Sequence, residues 1–347
     1  MQFIKSDIDI DFVGRRNIAF IISGLLIIIS ILSLIIHQGP RFGIDFAGGT
    51  LIQIKFDSPT DMNRIKTGLA TIDLGESTVQ RFGSLKDNEF LIRTNKSVST
   101  TKEFAAALEK AVTSSGSKGA EIQRIEMVGP QVGQDLREKA LFAIFYTLLF
   151  ITVYISGRFE LKWILSAVMA GALMSAVYLL SFFNVSIAFL ISAAMLITLF
   201  LFWVLSLKYA MGAIVALIHD VIITVGIFSI FDKEFTLPIV AALLTIIGYS
   251  LNDTIIVFDR IRENLRIHRN KKPHDFVINR SINETLSRTI LTSGTTLIVV
   301  VSLFVLGGGI IHDFAFALMV GMVVGVYSSI YVASPILIAF QGMGKKR

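Results

Sequence analysis

The chain has 347 residues, of which 53% are hydrophobic and only 17% are charged, and its formal net charge is +6. Soluble domains carry about 25% charged residues, so this composition excludes a plain soluble enzyme, a disordered protein and, despite the basic balance, a nucleic-acid-binding protein. The lack of cysteine in the sequence excludes disulfides, cysteine-based metal sites and thiol chemistry. The composition therefore indicates a protein of the lipid bilayer.

Eight apolar segments are candidate membrane spans, each close to the roughly 20 residues that a spanning helix needs. The first, at 17–36, follows two arginines and is longer than the apolar core of a signal peptide, so we expect a retained span. The stretch 163–207 has no charged residue and fits a helical hairpin that turns near Asn184. After a polar region at 37–138, the other spans are expected at 139–156, 162–183, 185–207, 209–230, 236–258, 289–307 and 313–340.

Basic residues predict the orientation of these spans, because cytoplasmic connections carry an excess of Lys and Arg. The short connections on one side hold a single basic residue, Lys233, whereas those on the other side are rich in them. This bias predicts a cytoplasmic N-terminus at 1–16, a cytoplasmic tail at 341–347 and an external polar region. The basic segments are 157–162, Lys208, 259–288 and 345–347.

The polar region predicts a small α+β domain. Alternation at 50–56, 77–82, 89–93 and 121–128 is typical of strands, while 61–72 and 101–114 have helical spacing. Ser58, Thr60 and Asp61 are the candidate caps of the first of these helices. The order β-α-β-β-α-β is ferredoxin-like. Residues 41–138 contain neither His nor Cys, so we interpret them as a binding or coupling module. The fold class is thus a polytopic α-helical membrane protein with an external ferredoxin-like α+β domain.

Two glycine-rich pieces, 42–50 (FGIDFAGGT) and 128–133 (VGPQVG), bracket this domain. Glycine permits positive φ and close backbone approach, so we expect a hinge or tight packing there. A phosphate cradle is the alternative, although neither piece matches a nucleotide fingerprint. Small-xxx-small spacing in the last span predicts a further helix contact. The candidate hinge or packing residues are Gly43, Asp45, Gly48, Gly49, Gly129, Pro130, Gly133, Gly321 and Gly325.

Ionisable residues inside the predicted spans are candidates for function, because each costs about 2.5–3.5 kcal/mol to insert. His219 and Asp220 lie in the middle of one span, and Asn252 and Asp253 lie in the next. For Asp220, a helix-packing hydrogen bond and a relay role remain open. A metal site at this His-Asp pair would lack a third ligand. The segment 276–288 has amphipathic spacing and predicts a helix lying at the inner surface.

Arg288 begins the span at 289–307, and Thr292 follows it by one helical turn. One interpretation is an arginine that reaches into lipid headgroups. The sharper hypothesis pairs Arg288 with Asp253 between helices, so that protonation of Asp253 releases the arginine. Such a bistable pair is what a proton-coupled device requires. The candidate proton pathway therefore consists of Asp253, Arg288, Asp220, Asn252, His219 and Thr292.

Five segments resemble the SecF branch of the SecD/SecF protein-export family, in the resistance-nodulation-division superfamily. They are FGIDFAGGT (42–50), VGPQVG (128–133), ALIHDVIIT (216–224), YSLNDTIIVFDRIREN (249–264) and INETLSRTILTSGTTL (282–297). In that family the Asp of the S-x-N-D-T motif and the Arg of the L-S-R-T motif serve proton passage. The resemblance assigns these roles to Asp253 and Arg288.

The resemblance also implies the setting of the protein. It implies a bacterial inner-membrane location with a periplasmic ferredoxin-like domain. It also implies a complex with SecD and association with the SecYEG channel, with YajC and YidC, and with unfolded exported polypeptide. Coupling would be to H⁺, with no cofactor, no metal and no enzymatic activity. The alternatives that remain open are a half-transporter for lipids or drugs and a structural scaffold without ion passage.

One segment departs from the family pattern, which has six spans. The hairpin at 162–207 is additional. Two similar tripeptides flank it, 46 residues apart, which is the pattern that a duplication would leave: Leu161-Lys162-Trp163 and Leu207-Lys208-Tyr209. Two added helices keep the topology. Because the hairpin has no ionisable group within 163–207, we predict a packing or partner role for it and not ion passage.

Overall fold

The computed structural model describes residues 8–82, 88–96, 98, 101–114, 119–183, 185–268 and 272–344. Among these residues, eight helices are long and apolar enough to cross a membrane, which confirms the expected number of spans. The predicted hairpin turn at Asn184, the basic residues Arg269 and Lys271, most of the turn at 84–88 and the tail at 345–347 lie outside the described residues.

The elements follow one another in two groups. The first span and the sheet-containing domain comprise α1 (Arg16–Ile36), α2 (Ile44–Ala47), β1 (Gly49–Phe56), α3 (Met62–Ala70), β2 (Thr78–Phe82), β3 (Glu89–Thr94), α4 (Lys102–Ser114) and β4 (Ala120–Val128). The remaining bundle comprises α5 (Pro130–Glu160), α6 (Trp163–Ser181), α7 (Ile187–Val204), α8 (Lys208–Ile230), α9 (Leu237–Ile267), α10 (His274–Leu306), α11 (Gly309–Ser328), a π-helix (Ser329–Ala333) and α12 (Ser334–Gly344).

The α+β domain has the predicted ferredoxin-like topology. Its four strands form an antiparallel sheet in the order β2-β3-β1-β4, and α3 and α4 pack together beside it. Alternate residues of β1 and β3, including Ile52, Ile54 and Phe90, are fully buried against the helices. The Asp61 side chain accepts a hydrogen bond from the Asn63 amide at 3.3 Å and caps α3, as expected. We call the end of the bundle that carries this domain the domain side, and the other end the far side.

The two glycine-rich pieces contact each other at the base of the domain. Gly48 and Gly49 have φ values of +75° and +118°, which an L side chain rarely adopts. A Cβ on Gly48 would lie 2.8 Å from the Pro130 Cα, and one on Gly133 would lie 3.0 Å from the Gly48 nitrogen. The chain therefore enters and leaves the domain through one closely packed junction.

The amphipathic segment 276–288 is not a surface helix, which corrects the prediction made from its periodicity. It is the first half of the continuous helix α10, and α9 likewise extends to Ile267, so only a short connection separates them. Val277, Ile278 and Ile282 are buried because the extension of α9 covers them. The apolar face thus has a protein partner and needs no lipid surface.

The N-terminal residues are bound to the same half of α10. The amide of Ile10 donates to Asn283 Oδ1 at 2.9 Å, and Asn283 Nδ2 donates to the Ile10 carbonyl at 2.9 Å. Asn279 accepts from the Phe12 amide at 2.8 Å, and Arg16 forms an ion pair with Asp275 at 2.7 Å. We call residues 10–16 the N-terminal clasp; it connects the start of α1 to α10 on the far side.

The hairpin of α6 and α7 lies at the margin of the bundle. Few of its residues are buried, and they lie on the sides that meet α5 and α8. The chain returns almost to its starting point: Glu160 Oε1 accepts from the Tyr209 amide at 2.9 Å, and Lys162 Nζ donates to the Leu205 carbonyl at 3.1 Å. Leu161 and Ser206, at the two ends, both have positive φ, of 58° and 55°.

Candidate functional site

The carboxylate of Asp220 lies at the centre of the bundle and is 1% exposed. Its Oδ1 is 2.9 Å from Nδ1 of His219 on the same helix. Its Oδ2 accepts from the hydroxyl of Ser250 on α9 at 2.6 Å and from that of Ser328 on α11 at 2.9 Å. Three helices therefore meet at one buried acidic group, and each contributes a hydrogen bond to it.

His219 extends this network to a fourth helix. Its Nε2 lies 3.2 Å from the hydroxyl of Ser23 on α1, and that hydroxyl is 3.1 Å from the phenol of Tyr327. The phenol donates to the Ala19 carbonyl at 2.7 Å, and its ring stacks on the imidazole. An ionised carboxylate only accepts, so His219 carries its proton on Nδ1 when Asp220 is charged. The imidazole thus links Asp220 to α1.

Small residues and a π-helix bring these helices close together. A Cβ on Gly325 would lie 3.0 Å from the Ser250 Cβ, and one on Gly321 would lie 2.3 Å from the Ile246 side chain, so α11 packs directly on α9. The π-helix begins at Ser329, next to Ser328, and Ser334 donates to the Ser329 carbonyl at 2.8 Å. Such π-turns often occur at functional sites.

Asp253 lies one helical turn beyond Ser250 on α9 and is also 1% exposed. Its Oδ2 accepts from the hydroxyl of Ser293 on α10 at 3.0 Å. A single helix therefore links the two buried acidic positions: Ser250 contacts Asp220 toward α8, and Asp253 contacts α10.

Arg288 forms no ion pair with Asp253 among the described residues, so the direct pair hypothesised from the sequence is not present in this structure. Arg288 is exposed on α10, although its charge still acts electrostatically on the Asp253 carboxylate. Thr292 donates to the Arg288 carbonyl at 2.9 Å within the same helix. Asn252 is exposed on the opposite side of α9 from the buried network. Helical spacing alone does not fix the rotation of α10 against α9, which explains the difference.

The serines that bind the two carboxylates carried little signal in the sequence. Ser293, which binds Asp253, and Ser23, which contacts His219, do not stand out in the sequence, because isolated serines are common in membrane helices and usually bond to their own backbone. Only the structure shows that three of the four buried residues of α1 are serines, namely Ser23, Ser30 and Ser33. No cluster of three or more metal-ligating side chains occurs within the described part of the chain.

The fold and these buried polar groups define a class: a polytopic membrane protein with a ferredoxin-like domain and acidic residues in its helix core. The family model described as "Protein export membrane protein SecD/SecF, C-terminal" matches residues 107–188 and 180–343, two segments that meet in the α6–α7 hairpin. The "SecD/SecF GG Motif" model matches residues 33–60.

Full-length relatives identify the branch. The chain is 40% identical to the protein translocase subunit SecF of Calditerrivibrio nitroreducens over 355 residues, covering 100% of this chain and 99% of that protein. It is 40% identical to SecF of Vibrio alginolyticus over 333 residues, covering 96% and 90%. The chain belongs to the SecF family of protein translocase subunits, as its motifs predict.

Solved structures agree. The crystal structure of SecDF, a translocon-associated membrane protein from Thermus thermophilus, superposes with a TM-score of 0.75 at 31% identity and covers 98% of this chain. SecDF in its super-membrane-facing form superposes with a TM-score of 0.61. This chain spans 40% of the SecDF chain in both cases.

Proposed function

We propose that this protein acts with SecD as a subunit of the Sec export machinery and uses the proton motive force to promote translocation across the bacterial inner membrane. SecD, the SecYEG channel, YajC, YidC and an unfolded exported polypeptide are its proposed partners. The α+β domain faces the periplasm, and both termini are cytoplasmic, in line with the basic residues of the far side. Its role is that of a transport subunit and not an enzyme.

The observation that carries the proposal is the burial of two carboxylates, Asp220 and Asp253, in a helix core that is mainly apolar. A carboxylate accepts several hydrogen bonds, whereas a carboxylic acid must donate one from the oxygen that bears the proton. A proton on Asp220 would therefore remove an acceptor from His219, Ser250 or Ser328. The corresponding helix contact must then rearrange, which converts protonation into movement.

Asp253 and Arg288 supply the second step. A proton on Asp253 cancels the negative charge that faces Ser293 and that attracts the exposed Arg288 guanidinium. Moving one charge through 100 mV supplies about 2.3 kcal/mol, so one or two protons per cycle can shift such an equilibrium. His219 contacts the Asp220 carboxylate through Nδ1 at 2.9 Å and is placed to exchange a proton with it. Asn252 and Thr292 complete the proposed pathway as neutral polar groups.

The test is export measured in cells that depend on this subunit, with and without a protonophore. We expect Asp253→Asn to assemble normally with its partner subunit and to lose the proton-dependent part of export. Asp259→Asn is the matched control, because Asp259 lies on the same helix but is half exposed and paired with Arg158. Retained proton-dependent export in Asp253→Asn would contradict the proposal and favour a scaffold. Joint loss of assembly and export would do the same.

A half-transporter for lipids or drugs is the second candidate within the superfamily. It predicts no stable association with the export channel. Recovery of the channel with this subunit after mild detergent extraction therefore separates the two functions.

A further inference from the structure

The loop between α8 and α9, residues 231–236, touches both the α+β domain and the segment that leads into it. The Phe235 amide donates to the Arg41 carbonyl at 2.7 Å, and the Gly43 amide donates to the Phe235 carbonyl at 2.9 Å. These bonds form a parallel β-bridge between Phe42 and Phe235. The loop is thus fixed by backbone hydrogen bonds to the chain just before the domain.

Glu234 in this loop binds the domain itself. Its carboxylate forms an ion pair with Arg93 of β3. The carboxylate also accepts a hydrogen bond from the side-chain amide of Gln80 on β2, whose Nε2 lies 3.3 Å away. The Arg93 and Glu234 side chains are only 15% and 21% exposed. Burial, with the nearby charge of Arg41, lowers the pKa of Arg93 to about 10, so the guanidinium remains charged at neutral pH. This is a shielded pair between the sheet and the membrane bundle.

Two further contacts surround the loop: α2 binds the start of α9, and the loop itself binds α11. The Asp45 carboxylate accepts from the Leu237 amide at 2.8 Å, at the first turn of α9. Lys233 forms an ion pair with Asp313 of α11 at 2.5 Å. The Asp45 carboxylate therefore holds the N-terminus of α9 beside the entry to the domain, and the Lys233 ion pair holds the loop to α11. A displacement of α8, α9 or α11 relative to the domain must therefore strain or break these contacts.

The two helices that the loop joins are those that carry the buried acidic groups. Asp220 lies ten residues before the end of α8, and Ser250 lies within α9, so rigid helix of about 15–20 Å separates each from the loop. A change in the Asp220–Ser250 hydrogen bond alters how α8 and α9 sit against each other. The loop that joins α8 to α9 carries Glu234, so a shift between these two helices reaches the sheet through Glu234.

We propose that the Glu234–Arg93 pair couples the buried carboxylate network to the position of the α+β domain, with Gln80 as an auxiliary contact. This inference rests on the proposed proton-driven function. Glu234 and Arg93 are positioning residues: they touch neither the buried carboxylates nor, in this inference, the exported polypeptide. Breaking the pair leaves the network intact and uncouples the domain from it.

The first experiment is charge reversal in the full chain with its partner subunit. Glu234→Arg and Arg93→Glu should each abolish the proton-dependent part of export, and the double swap should restore it. Glu234→Gln tests the same point without a repulsive contact. Lys96→Glu is the control, since its partner Asp73 belongs to the same domain and the pair is exposed.

The second experiment measures the docking of the domain directly. The natural chain has no cysteine, and the Phe82 ring of β2 lies against Gly309 at the start of α11. A disulfide between Phe82→Cys and Gly309→Cys therefore reports how often the domain is docked. We expect Glu234→Gln to slow its formation by about tenfold, the change that loss of one charged hydrogen bond produces. Lys96→Glu should leave the rate unchanged.

The outcomes separate this inference from the function on which it rests. If Asp253→Asn removes proton-dependent export while Glu234→Gln and Glu234→Arg retain it, the coupling role is wrong and the function stands. A double swap that fails to restore an export lost in the single variants, or an unchanged disulfide rate in Glu234→Gln, also overturns the coupling role. If Asp253→Asn itself retains proton-dependent export, the proposed function fails.

Discussion

Excision of the α6–α7 hairpin should leave a folded protein that still supports export. Removal of residues 162–207 joins Leu161 to Lys208 and places Glu160 three residues before Tyr209. Three residues span at most about 10–11 Å. The Glu160 carboxylate already contacts the Tyr209 amide at 2.9 Å, so the two backbones are within that reach. The excised chain can therefore close without moving α5 or α8, and Glu160 continues to cap α8.

The cost of the excision is set by the hairpin residues that reach the core. Phe202 is fully buried in the cluster around α8, whereas most of α6 faces outward. The excision also removes Leu207, which is fully buried in the same cluster. Loss of a buried phenylalanine costs about 3–5 kcal/mol and loss of a buried leucine about 2–5 kcal/mol, and lipid or detergent chains that fill the exposed groove offset part of this cost. At about 2–4 °C per kcal/mol, the value for domains of 150–250 residues, a net cost of about 5 kcal/mol lowers the melting temperature in detergent by roughly 10–20 °C.

The assay combines thermal unfolding in detergent with export in cells that depend on the subunit. The matched control deletes α6 alone, which changes the number of spans from even to odd and should abolish folding in the membrane. An excised protein that is degraded, or one that is stable but inactive, would refute the reasoning. The second result would give the hairpin an essential role in coupling or in partner binding.

Three further predictions concern packing elsewhere. Gly321→Leu should push α11 away from α9, because Ile246 already occupies the space beside Gly321. The free energy of unfolding should fall by about 1–3 kcal/mol, and an unchanged melting temperature would contradict the contact. Asn279→Ala with Asn283→Ala should release the N-terminal clasp, at about 1–3 kcal/mol, and protease cleavage before α1 should accelerate while the rest of the chain stays resistant. Phe90→Ala should cost about 3–5 kcal/mol and make the α+β domain protease-sensitive, with the membrane bundle unaffected.

Much of the fold could be predicted because its signals are local. The alternation in β1 and the helical spacing of α3 and α4 report which face of each element is buried, and this is enough for the ferredoxin-like order. The spans follow from length and hydropathy. The continuity of α10 could not be predicted, because an apolar stripe at 276–288 looks the same whether lipid or another helix covers it.

The candidate site was predictable in its acids and not in its partners. Asp220 and Asp253 stand out because a charged residue within a membrane span is costly to insert, and the sequence alone shows that such a residue is present. Their hydrogen-bond donors are serines on other helices, and which serine meets which acid depends on helix rotation. The supposed contact between Arg288 and Asp253 is wrong for the same reason: proximity along two helices does not determine which faces meet.

The N-terminal clasp has a consequence for the order in which contacts form while the protein is synthesised. Ile10 binds Asn283, which is 273 residues further along the chain. At 5–20 residues per second, the first segment waits roughly 15–55 s before its binding site has been synthesised. α8 is complete at Ile230, so α1 can pair its serines with α8, as Ser33 does with Ser229, before its N-terminal contact on α10 exists. Biogenesis therefore includes a late step in which the segment before α1 binds α10, and in a truncated chain that stops short of α10 this segment is left unbound and accessible to protease.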